Sequence, residues 1–343
     1  MEQVTIKDIA RICQVGVSTV SRAINNHPDI NQETKELIMK AIKEHNYVPN
    51  NSARNLKRAD AKAIAILVKG MTNPLFTQMI KVMGEEIEKN RYTLVIRHVE
   101  YYEDEVDVAI ELVKEKRLRG IVFLGGLFEH AEDKIRRLEV PYVLSTISGM
   151  SDDINLETYS SIAVDDVKES YKAVSYLIEL GHRRIATITG RCEDRSIGRL
   201  RLEGYYQALT DHNIAIDSNL IGYMREDIEE YSLLNGYSVM KELLGREEEF
   251  TAVYAISDIL AIGACKALLD NGYKVPKDYS VMGFDGVEMA RYYTPSITTI
   301  HQPIDQMANE TIKTLFDLIK NKTNHIHKVF EGNLIEGQST RKL

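Results

Sequence analysis

The chain has 343 residues, enough for about two or three domains. Hydrophobic residues make up 44% of it and charged residues 27%, a balance typical of folded globular proteins and not of disordered chains. The chain starts without a leader-type segment, and it has no apolar stretch long enough to cross a membrane. Its three cysteines are widely separated, and this spacing argues against a disulfide framework or structural zinc. We therefore expect a cytoplasmic protein with no membrane partner and no metal.

The charge is unevenly distributed, although the formal net charge of the whole chain is −8. Residues 1–62 contain ten Lys and Arg against seven Asp and Glu, a net charge of +3, whereas the remaining residues contain 33 against 44, a net charge of −11. A small cationic head on a large anionic body indicates a polyanionic partner at one end only. A charge of +3 by itself also fits an ordinary solvated helical surface.

The first 46 residues predict three short helices. Thr5 and Asp8 have the spacing of a capping box at the start of the first helix, and Asn31 can cap the third. Apolar residues recur at helical spacing in each helix. They are Ile6, Ile9, Ala10 and Cys13 in the first, Val20, Ala23 and Ile24 in the second, and Thr34, Leu37, Ile38, Ala41 and Ile42 in the third. Pro49 ends the pattern, because the residue before a proline is disfavoured in the α conformation.

The second helix has an outward face that suits the major groove of DNA. When its apolar stripe packs inward, the residues that face outward are Val17, Ser18, Ser21, Arg22 and Asn25. Arg can pair with guanine, Asn can pair with adenine, and a small apolar side chain can contact the thymine methyl group. The alternative is a helix face that is only solvated.

The polar segment 49–61 predicts a linker that contains a short helix. Asn50 to Arg58 is too short to remain helical in water without a partner. Ala53 and Leu56 are three residues apart and share one face, and a leucine on a basic helix can wedge between base steps in the minor groove. The same residues equally allow a flexible linker whose Leu56 packs on the core.

From residue 62 onward, short β-rich runs alternate with amphipathic helical stretches. The runs are Ala63–Val68, Thr93–Ile96, Gly120–Leu124, Tyr142–Leu144, Ser161–Val164, Ile185–Ile188, Thr251–Ile256, Ser280–Gly283 and Thr298–Ile300. This alternation predicts parallel sheets joined by right-handed crossovers. About nine or ten strands are accommodated more easily in two sheets than in one. The predicted class of the body is therefore α/β with two sheets.

Motifs of common enzyme sites are missing from the sequence. Gly125 and Gly126 follow a strand but lack the glycine spacing of a dinucleotide site, and no phosphate loop, zinc-protease or serine-hydrolase motif is found. His182 lies at a predicted helix end, where a structural role is expected. We expect no enzymatic activity, no catalytic residue and no cofactor.

Several motifs resemble the LacI/GalR family of bacterial transcription regulators, and they occur in order over essentially the whole chain. They are VTIKDIA at 4–10, TVSRAIN at 19–25, YVPN at 47–50, ARNL at 53–56, ELGHRRIA at 179–186, GFD at 283–285 and PSITTIHQP at 295–303. The resemblance implies a helix-turn-helix domain at 1–48, a hinge helix at 49–61, and a two-lobed body of the periplasmic-binding-protein type at 62–343. One lobe would comprise about 62–162 and 294–325, and the other about 163–293 and 326–343.

For DNA binding, the resemblance implies roles for residues of the head and the hinge. The implied set is Thr5, Val17, Ser18, Ser21, Arg22, Asn25, Asn50, Ala53 and Leu56. Val17, Ser18 and Arg22 would read bases, and Leu56 would be the intercalating wedge of the hinge helix. Gly16 stands where the family usually has a serine N-cap, a replacement that costs about a few tenths of a kcal/mol.

For effector binding, the resemblance implies residues between the lobes. The implied set is Leu75, Phe76, Arg195, Ile197, Arg201, Tyr231, Asp285 and Gln302, with Asp165, Ser257 and Asp258 as further candidates. A forked donor at Arg201, an acceptor at Asp285 and an aromatic platform at Tyr231 suit a polyhydroxylated ring. Taken singly, Arg201 could instead form a surface ion pair and Tyr231 could simply pack.

Departures from the family pattern predict a differently tuned pocket. Thr146 and Ser257 stand where better-known members carry Asp and Asn, and Asp166 replaces a frequent Asn. The segment 336–340 lacks the arginines commonly found before its Ser-Thr pair.

Of three possible functions, a ligand-responsive DNA-binding regulator fits the sequence best. A sugar-binding protein of transport would need a leader peptide and no basic head, and an α/β enzyme would need a catalytic or phosphate-binding motif. We expect a repressor that binds double-stranded operator DNA as a homodimer, with half-sites about one helical turn apart. Its effector, expected to be a carbohydrate with a purine or nucleoside as the alternative, would close the lobes and so change the spacing of the hinges.

Overall fold

The computed structural model describes residues 5–24, 29–45, 47, 62–70, 72–100, 102–126, 132–147, 155–191 and 196–343. The chain divides into two compact units, Met1–Ala61 and Lys62–Leu343, and each is described by itself. The expected hinge helix at 49–61 lies outside the described residues. No helix within the described ranges is both long enough and apolar enough to cross a membrane.

The N-terminal unit contains three helices: α1 (Ile6–Ile12), α2 (Val17–Ile24) and α3 (Gln32–Glu44). Their apolar faces meet in one small core, as the periodicity predicts. The buried members of this core are Ile9, Ala10, Cys13, Val20, Ala23, Ile38, Ala41 and Tyr47.

Both predicted helix caps of this unit are confirmed. The Asp8 carboxylate accepts hydrogen bonds from the backbone N–H of Thr5 at 3.0 Å and from its hydroxyl at 2.6 Å. Asn31 Oδ1 accepts from the backbone N–H of Glu33 at 2.8 Å. These bonds satisfy backbone groups that a helix leaves unpaired at its N-terminus.

The larger unit alternates strands with helices. In chain order its elements are β1 (Ala63–Val68), α4 (Pro74–Lys89), β2 (Thr93–His98), α5 (Glu105–Lys116), β3 (Leu118–Leu124), α6 (Glu132–Ile135), β4 (Tyr142–Ser145), β5 (Ser160–Val164), α7 (Asp166–Glu179), β6 (Ile185–Thr189), α8 (Ile197–Asp211), β7 (Ile221–Tyr223), α9 (Leu233–Gly245), β8 (Ala252–Ala255), α10 (Asp258–Asp270), β9 (Ser280–Asp285), α11 (Glu288–Tyr292), β10 (Thr298–His301), α12 (Ile304–Ile319), β11 (His327–Phe330) and β12 (Asn333–Ile335). Short 3₁₀ turns lie at Leu156–Thr158 and Ser218–Leu220.

These strands form two six-stranded sheets, one for each lobe. The first has the order β11-β5-β4-β3-β1-β2 and is parallel throughout. The second has the order β12-β10-β9-β8-β6-β7, and within it β12 runs antiparallel to β10. All six residues of β1 are buried, as expected for a strand whose sheet is covered on both faces. The predicted α/β class with two sheets is confirmed.

Helices pack in pairs against these sheets. In the first lobe α4 packs against α12, and α12 also contacts β3, β4 and β5. In the second lobe α7 packs against α8, and α9 packs against α10. The starts of α4 and α8 therefore belong to different lobes, which decides how the site below is assembled.

The predicted lobe boundaries are wrong at two strands. They place β10 in the first lobe and β11 in the second, but β10 pairs with β9 of the second sheet and β11 pairs with β5 of the first. The chain thus passes between the sheets after β5, after β10 and between β11 and β12. Hydrophobic periodicity could not show this, because it predicts a strand but not its neighbour.

Three short strands, β7, β11 and β12, were not predicted. Each has only three or four residues, and β11 and β12 are largely exposed. Each lies at an edge of its sheet. A short edge strand carries too few buried residues to give an apolar run or a clear alternation.

Candidate DNA-binding face and effector cleft

The outward face of α2 is arranged as the sequence predicts. Val20 and Ala23 are buried in the core, whereas Val17 is 42% exposed and Ser18 and Arg22 are also exposed. A short face with one arginine, one hydroxyl and one small apolar side chain is therefore available to a partner. Its contact with DNA stays a prediction.

Two further members of the predicted DNA-binding set lie at the surface of the N-terminal unit. Ser21 is half-buried on α2, and Thr5 is exposed at the start of α1. Thr5 already has a structural partner, since its hydroxyl donates to Asp8.

Gly16 begins α2 through its backbone. Its carbonyl accepts from the N–H groups of Thr19 at 2.9 Å and Val20 at 3.1 Å. A Cβ added to Gly16 would lie 3.4 Å from Ser18 Oγ, an ordinary van der Waals contact. The serine that the family usually carries would fit here, so glycine is not required by space.

Several residues of the predicted sites lie outside the described residues, and their roles stay predictions. They are Asn25, Asn50, Ala53, Leu56 and Arg195.

The second candidate site is a buried polar cluster around Arg201 of α8. This side chain is 2% exposed. Its Nε donates to Asp166 Oδ1 at 2.8 Å, its Nη1 donates to the Ile256 carbonyl at 2.6 Å, and its guanidinium lies 3.8 Å from the centre of the Phe284 ring. A guanidinium held by a carboxylate, a carbonyl and a ring face has one orientation. The alternative of a surface ion pair is wrong.

Asp285, at the end of β9, joins this cluster to the other lobe. It is 1% exposed. Its Oδ1 accepts from Gln302 Nε2 at 2.8 Å and from Arg201 Nη1 at 3.3 Å, and its Oδ2 accepts from Asn73 Nδ2 at 3.0 Å. Its backbone φ of +114° lies in a region that favours glycine. Such strain persists only where the surroundings hold it, and it is common at functional sites.

Asp258 helps to hold the backbone that carries Asp285. Its side chain is fully buried, and its Oδ2 accepts from the backbone N–H of Val287 at 2.8 Å. Gly286, between Asp285 and Val287, has a φ of +72°, and a Cβ there would lie 2.5 Å from His301 Cα. Only glycine fits so close to another backbone. Asp258 therefore fixes the turn after β9.

Two other candidate residues act as helix caps. Asp165 Oδ1 accepts from the Lys168 N–H at the start of α7 at 3.0 Å, and Ser257 Oγ accepts from the Leu260 N–H at the start of α10 at 3.3 Å. The structure thus gives both side chains local partners that account for them.

Burial and the charge of Arg201 act in opposite directions on the carboxyls. Burial raises the pKa of Asp166 to about 6 and also raises the pKa of Asp285, while Arg201 opposes both shifts. Burial lowers the pKa of Arg201, but the charges of Asp166 and Asp285 outweigh that effect and raise it. Burial, assisted by the charge of Asp285, raises the pKa of Asp258 well above its usual value. One permanent cation thus stabilises acceptors that burial alone would neutralise.

Asp166 has one carboxylate oxygen without a donor. Its Oδ1 is bound by Arg201, but Oδ2 is buried and no described residue donates a hydrogen bond to it. Buried polar atoms in folded proteins nearly always have a partner. A hydroxyl group of a bound molecule would supply the missing donor. Asp166 is absent from the predicted site residues, because in the sequence it stands out only as a departure from the family.

The apolar members of the predicted set lie near the starts of helices. Leu75 and Phe76 are buried in the first turn of α4, and Ile197 is half-buried at the start of α8. Gly125 has a φ of +72°, and a Cβ there would lie 2.6 Å from the Phe76 ring. The glycine therefore admits Phe76, which is a packing role and not a nucleotide-binding one.

Tyr231 is half-buried and has a φ of +50°. Its backbone N–H donates to Met224 Sδ at 3.3 Å. Its ring packs against the hydrophobic core. Stacking of that ring on an effector stays a prediction.

Asn73 is a further residue of the site that is absent from the predicted set. It caps α4, because its Oδ1 accepts from the Leu75 N–H at 3.0 Å, and it is buried beside Asp285. The available signal was the Asn-Pro pair, since Asn favours the N-cap and Pro favours the first helical position. That signal predicts the cap but not the contact with Asp285. Over the described ranges, no group of three or more His, Cys, Asp or Glu could hold a metal ion.

Comparison with known proteins gives two family matches. Residues 5–50 match the model for bacterial regulatory proteins of the lacI family, and residues 174–340 match a periplasmic binding protein-like domain.

Individual relatives align over nearly the full chain. The HTH-type transcriptional regulator MalR of Clostridium butyricum is 44% identical over 337 residues, which cover 97% of this chain and 98% of MalR. The ribose operon repressor of Haemophilus influenzae is 32% identical over 92% of each chain. Among solved structures, a complex of the transcriptional regulator CelR with cellobiose has a TM-score of 0.68 at 27% identity, covering 98% of this chain and all of that one.

Proposed function

Because the chain belongs to the LacI family of bacterial regulatory proteins, it is a DNA-binding transcriptional regulator, and we propose that a small effector bound between its lobes controls its binding to operator DNA. In this proposal residues 1–48 bind DNA, 49–61 form the hinge, and 62–343 bind the effector and pair two subunits. The relatives are regulators, and we infer that this chain catalyses no reaction.

The observation that carries the effector site is the buried Oδ2 of Asp166, to which no residue of the described ranges donates a hydrogen bond. It lies beside Arg201, whose Nε holds the other oxygen of the same carboxylate. A molecule that donates to Oδ2 removes the cost of a buried acceptor without a partner, which is about 1–3 kcal/mol. The effector-binding set that we propose is the predicted one with Asp166 added.

A carbohydrate fits this site best. Each sugar hydroxyl both donates and accepts, so adjacent hydroxyls can pair with Asp166 and Asp285 while another accepts from Arg201. Among the relatives, CelR is solved with cellobiose and another represses a ribose operon. A nucleoside also carries hydroxyls and a stacking face, so it is the competing effector class in the test below.

For DNA, we propose that the exposed face of α2 reads bases and that Leu56 of the hinge intercalates. Val17, Ser18 and Arg22 are the exposed positions that support this assignment. Arginine recognises guanine by two parallel hydrogen bonds, and leucine is a common wedge between base steps.

We infer a homodimer from apolar side chains that the second lobe leaves exposed on neighbouring helices. Leu233 and Leu234 lie on α9, Leu269 lies on the adjacent α10, and Met289 and Tyr292 lie on α11. Several exposed apolar side chains on helices of one lobe are typical of a protein–protein contact. Two subunits would present two heads to the half-sites of an operator.

The proposal is tested in two steps with the full chain. First, duplexes are selected by binding from a random pool, and affinity for the selected duplex is compared with that for random competitor. Second, the melting temperature is measured with ribose, cellobiose, other mono- and disaccharides, sugar phosphates and nucleosides, since a ligand that binds the native state raises it. We expect a preferred duplex, and a sugar that both raises the melting temperature and changes the affinity for DNA.

Asp166→Asn and Asp165→Asn form a matched pair for this test. Both replace one carboxylate oxygen by an amide, but Asp166 is buried beside Arg201 whereas Asp165 is an exposed cap. The first variant should lose the thermal shift and the second should keep it. A shift given by nucleosides alone would refute the carbohydrate assignment, and equal shifts in both variants would refute the site. No preferred duplex would refute the regulator itself.

A further inference from the structure

The side chain of Asn73 bonds to both lobes. Its Oδ1 accepts from the Leu75 N–H at the start of α4 in the first lobe, at 3.0 Å. Its Nδ2 donates to Asp285 Oδ2 at the end of β9 in the second lobe, also at 3.0 Å. The backbone N–H can only donate, so the amide oxygen must face it and the NH₂ group must face Asp285. The cap therefore fixes the direction of the contact between the lobes.

The neighbouring residue makes a second contact of the same kind. The Thr72 hydroxyl donates to the Glu230 carbonyl at 3.0 Å. Thr72 precedes α4 of the first lobe, whereas Glu230 lies between β7 and α9 of the second. Two consecutive residues of the first lobe thus donate hydrogen bonds to the second lobe, and neither bond requires an effector.

The bond to Asp285 is the stronger of the two. Its acceptor belongs to a carboxylate, and a hydrogen bond to a charged group is stronger than one between two neutral groups. Asn73 and Asp285 are both buried, so water competes poorly for either atom. Separation of the lobes would break this bond and leave Asp285 with its partners Arg201 and Gln302.

We propose that Asn73 is a positioning residue that holds the two lobes together through its hydrogen bond to Asp285, a bond we call the latch. The lobes then close without an effector. When an effector binds, one of its hydroxyl groups competes with Asn73 for the Asp285 carboxylate. The effector then acts on lobes that already favour closure, and it exchanges one donor to Asp285 for another. The competition rests on the proposed effector site, but the latch itself does not.

The latch is tested by the distance between the lobes, measured with no DNA and no added sugar. Nitroxide labels are placed at Thr77→Cys on α4 and Glu203→Cys on α8, both exposed positions, in a Cys192→Ser background. Cys13 and Cys265 are buried and react slowly. Labelled chains are diluted with unlabelled ones, so that pulsed electron resonance reads the distance within one subunit.

Three variants separate the latch from the cap. Asn73→Asp keeps an oxygen for the Leu75 N–H but sets a carboxylate against Asp285, so the distance should lengthen and its distribution broaden. Asn73→Ser keeps a capping oxygen that is too short to reach Asp285, and it should lengthen the distance without adding charge. Gln78→Glu is the matched control, because Gln78 also donates to an aspartate at 3.0 Å, but that partner, Asp305, lies in the same lobe. It should leave the distance unchanged.

The possible results are distinct. A short distance in the parent chain and in Gln78→Glu, with longer distances in both Asn73 variants, supports the latch. Equal distances in all four proteins, or a lengthening in Gln78→Glu as large as that in Asn73→Asp, would overturn it. Since nothing is added to the protein, a chain that binds no sugar still gives a clear answer, and failure of the latch leaves the effector site standing.

Discussion

The two candidate sites of this molecule are built in opposite ways. The side chains of the α2 face point away from a small core, and the fold does not depend on them. The polar side chains around Arg201 are buried, and each holds another: Asp166 holds Arg201, and Arg201 and Gln302 hold Asp285. A surface site can change its residues with little effect on stability, whereas a buried cluster cannot. The comparison predicts where substitution costs function alone and where it also costs stability.

Removal of Arg201 should have the largest effect. Arg201→Ala leaves Asp166 and Asp285 buried without their cation, and loss of one partner from a buried ion pair typically costs about 3–5 kcal/mol. We expect the free energy of unfolding of the larger unit, measured by urea denaturation at pH 7.5, to fall by about that amount. The sugar-dependent thermal shift should be lost, while the N-terminal unit keeps its own transition.

Arg184→Ala is the control for charge alone. Arg184 bridges Asp217 at 3.1 Å and Glu248 at 2.9 Å, but its side chain is 43% exposed. An exposed ion pair contributes less than about 1 kcal/mol, so this variant should be nearly as stable as the parent. Similar losses in the two arginine variants would remove the distinction between the buried cluster and the surface.

The same contrast explains what the sequence could predict. The outward face of α2, the caps at Asp8 and Asn31 and the alternation of strands and helices all follow from local spacing, and the structure agrees with them. The cluster depends on residues that are far apart in the chain, such as Asn73 and Asp285, and spacing carries no information about such contacts. The family resemblance supplied Arg201 and Asp285 but treated Asp166 as a departure.

The misplaced lobe boundaries have a related cause. β10 and β11 are each short, and a strand of either sheet would show the same residues. What assigns β10 to the second lobe is its backbone pairing with β9, and what assigns β11 to the first is its pairing with β5. Backbone hydrogen bonds do not depend on side-chain identity, so the sequence gives only a weak indication of them.

Loss of Arg22 should affect DNA binding and not folding. Arg22 is exposed on α2, so Arg22→Ala should leave the unfolding of the N-terminal unit unchanged. If Arg22 pairs with a guanine, specific affinity should fall by about 1–3 kcal/mol, and discrimination at one base pair should relax. Anisotropy titrations with the selected duplex and its single-base variants would measure both. Lys40→Ala removes the same charge from exposed α3 and should weaken all duplexes alike; identical behaviour of the two variants would mean that Arg22 contributes charge and no base reading.

The smallest expected effect is a loss of stability in mild acid, which should occur in the larger unit and not in the N-terminal unit. His182 is fully buried, with Nδ1 2.8 Å from Thr251 Oγ1 and Nε2 3.2 Å from the Arg341 carbonyl. A carbonyl only accepts, so Nε2 carries a proton. Because burial lowers the pKa of His182 below its usual 6.5, the folded ring is neutral at pH 7.5. The unfolded chain therefore binds this proton first, and the stability that the neutral ring contributes is present above pH 6.5 and is lost as the pH falls below it.

The loss of stability caused by one proton is limited to about 1.4 kcal/mol per pH unit. Asp166 has the opposite effect on stability, because its raised pKa of about 6 makes the folded state bind a proton before the unfolded state does. The contribution of His182 is therefore taken from the difference between the parent and His182→Gln, with urea denaturation at pH 7.5, 6.5 and 5.5. The difference should shrink toward pH 5.5 for the larger unit, whereas the described residues of the N-terminal unit include no buried histidine and its stability should not differ between the two proteins. A difference that stays constant with pH would show that folding leaves the pKa of His182 unchanged, which contradicts the lowering of that pKa by burial.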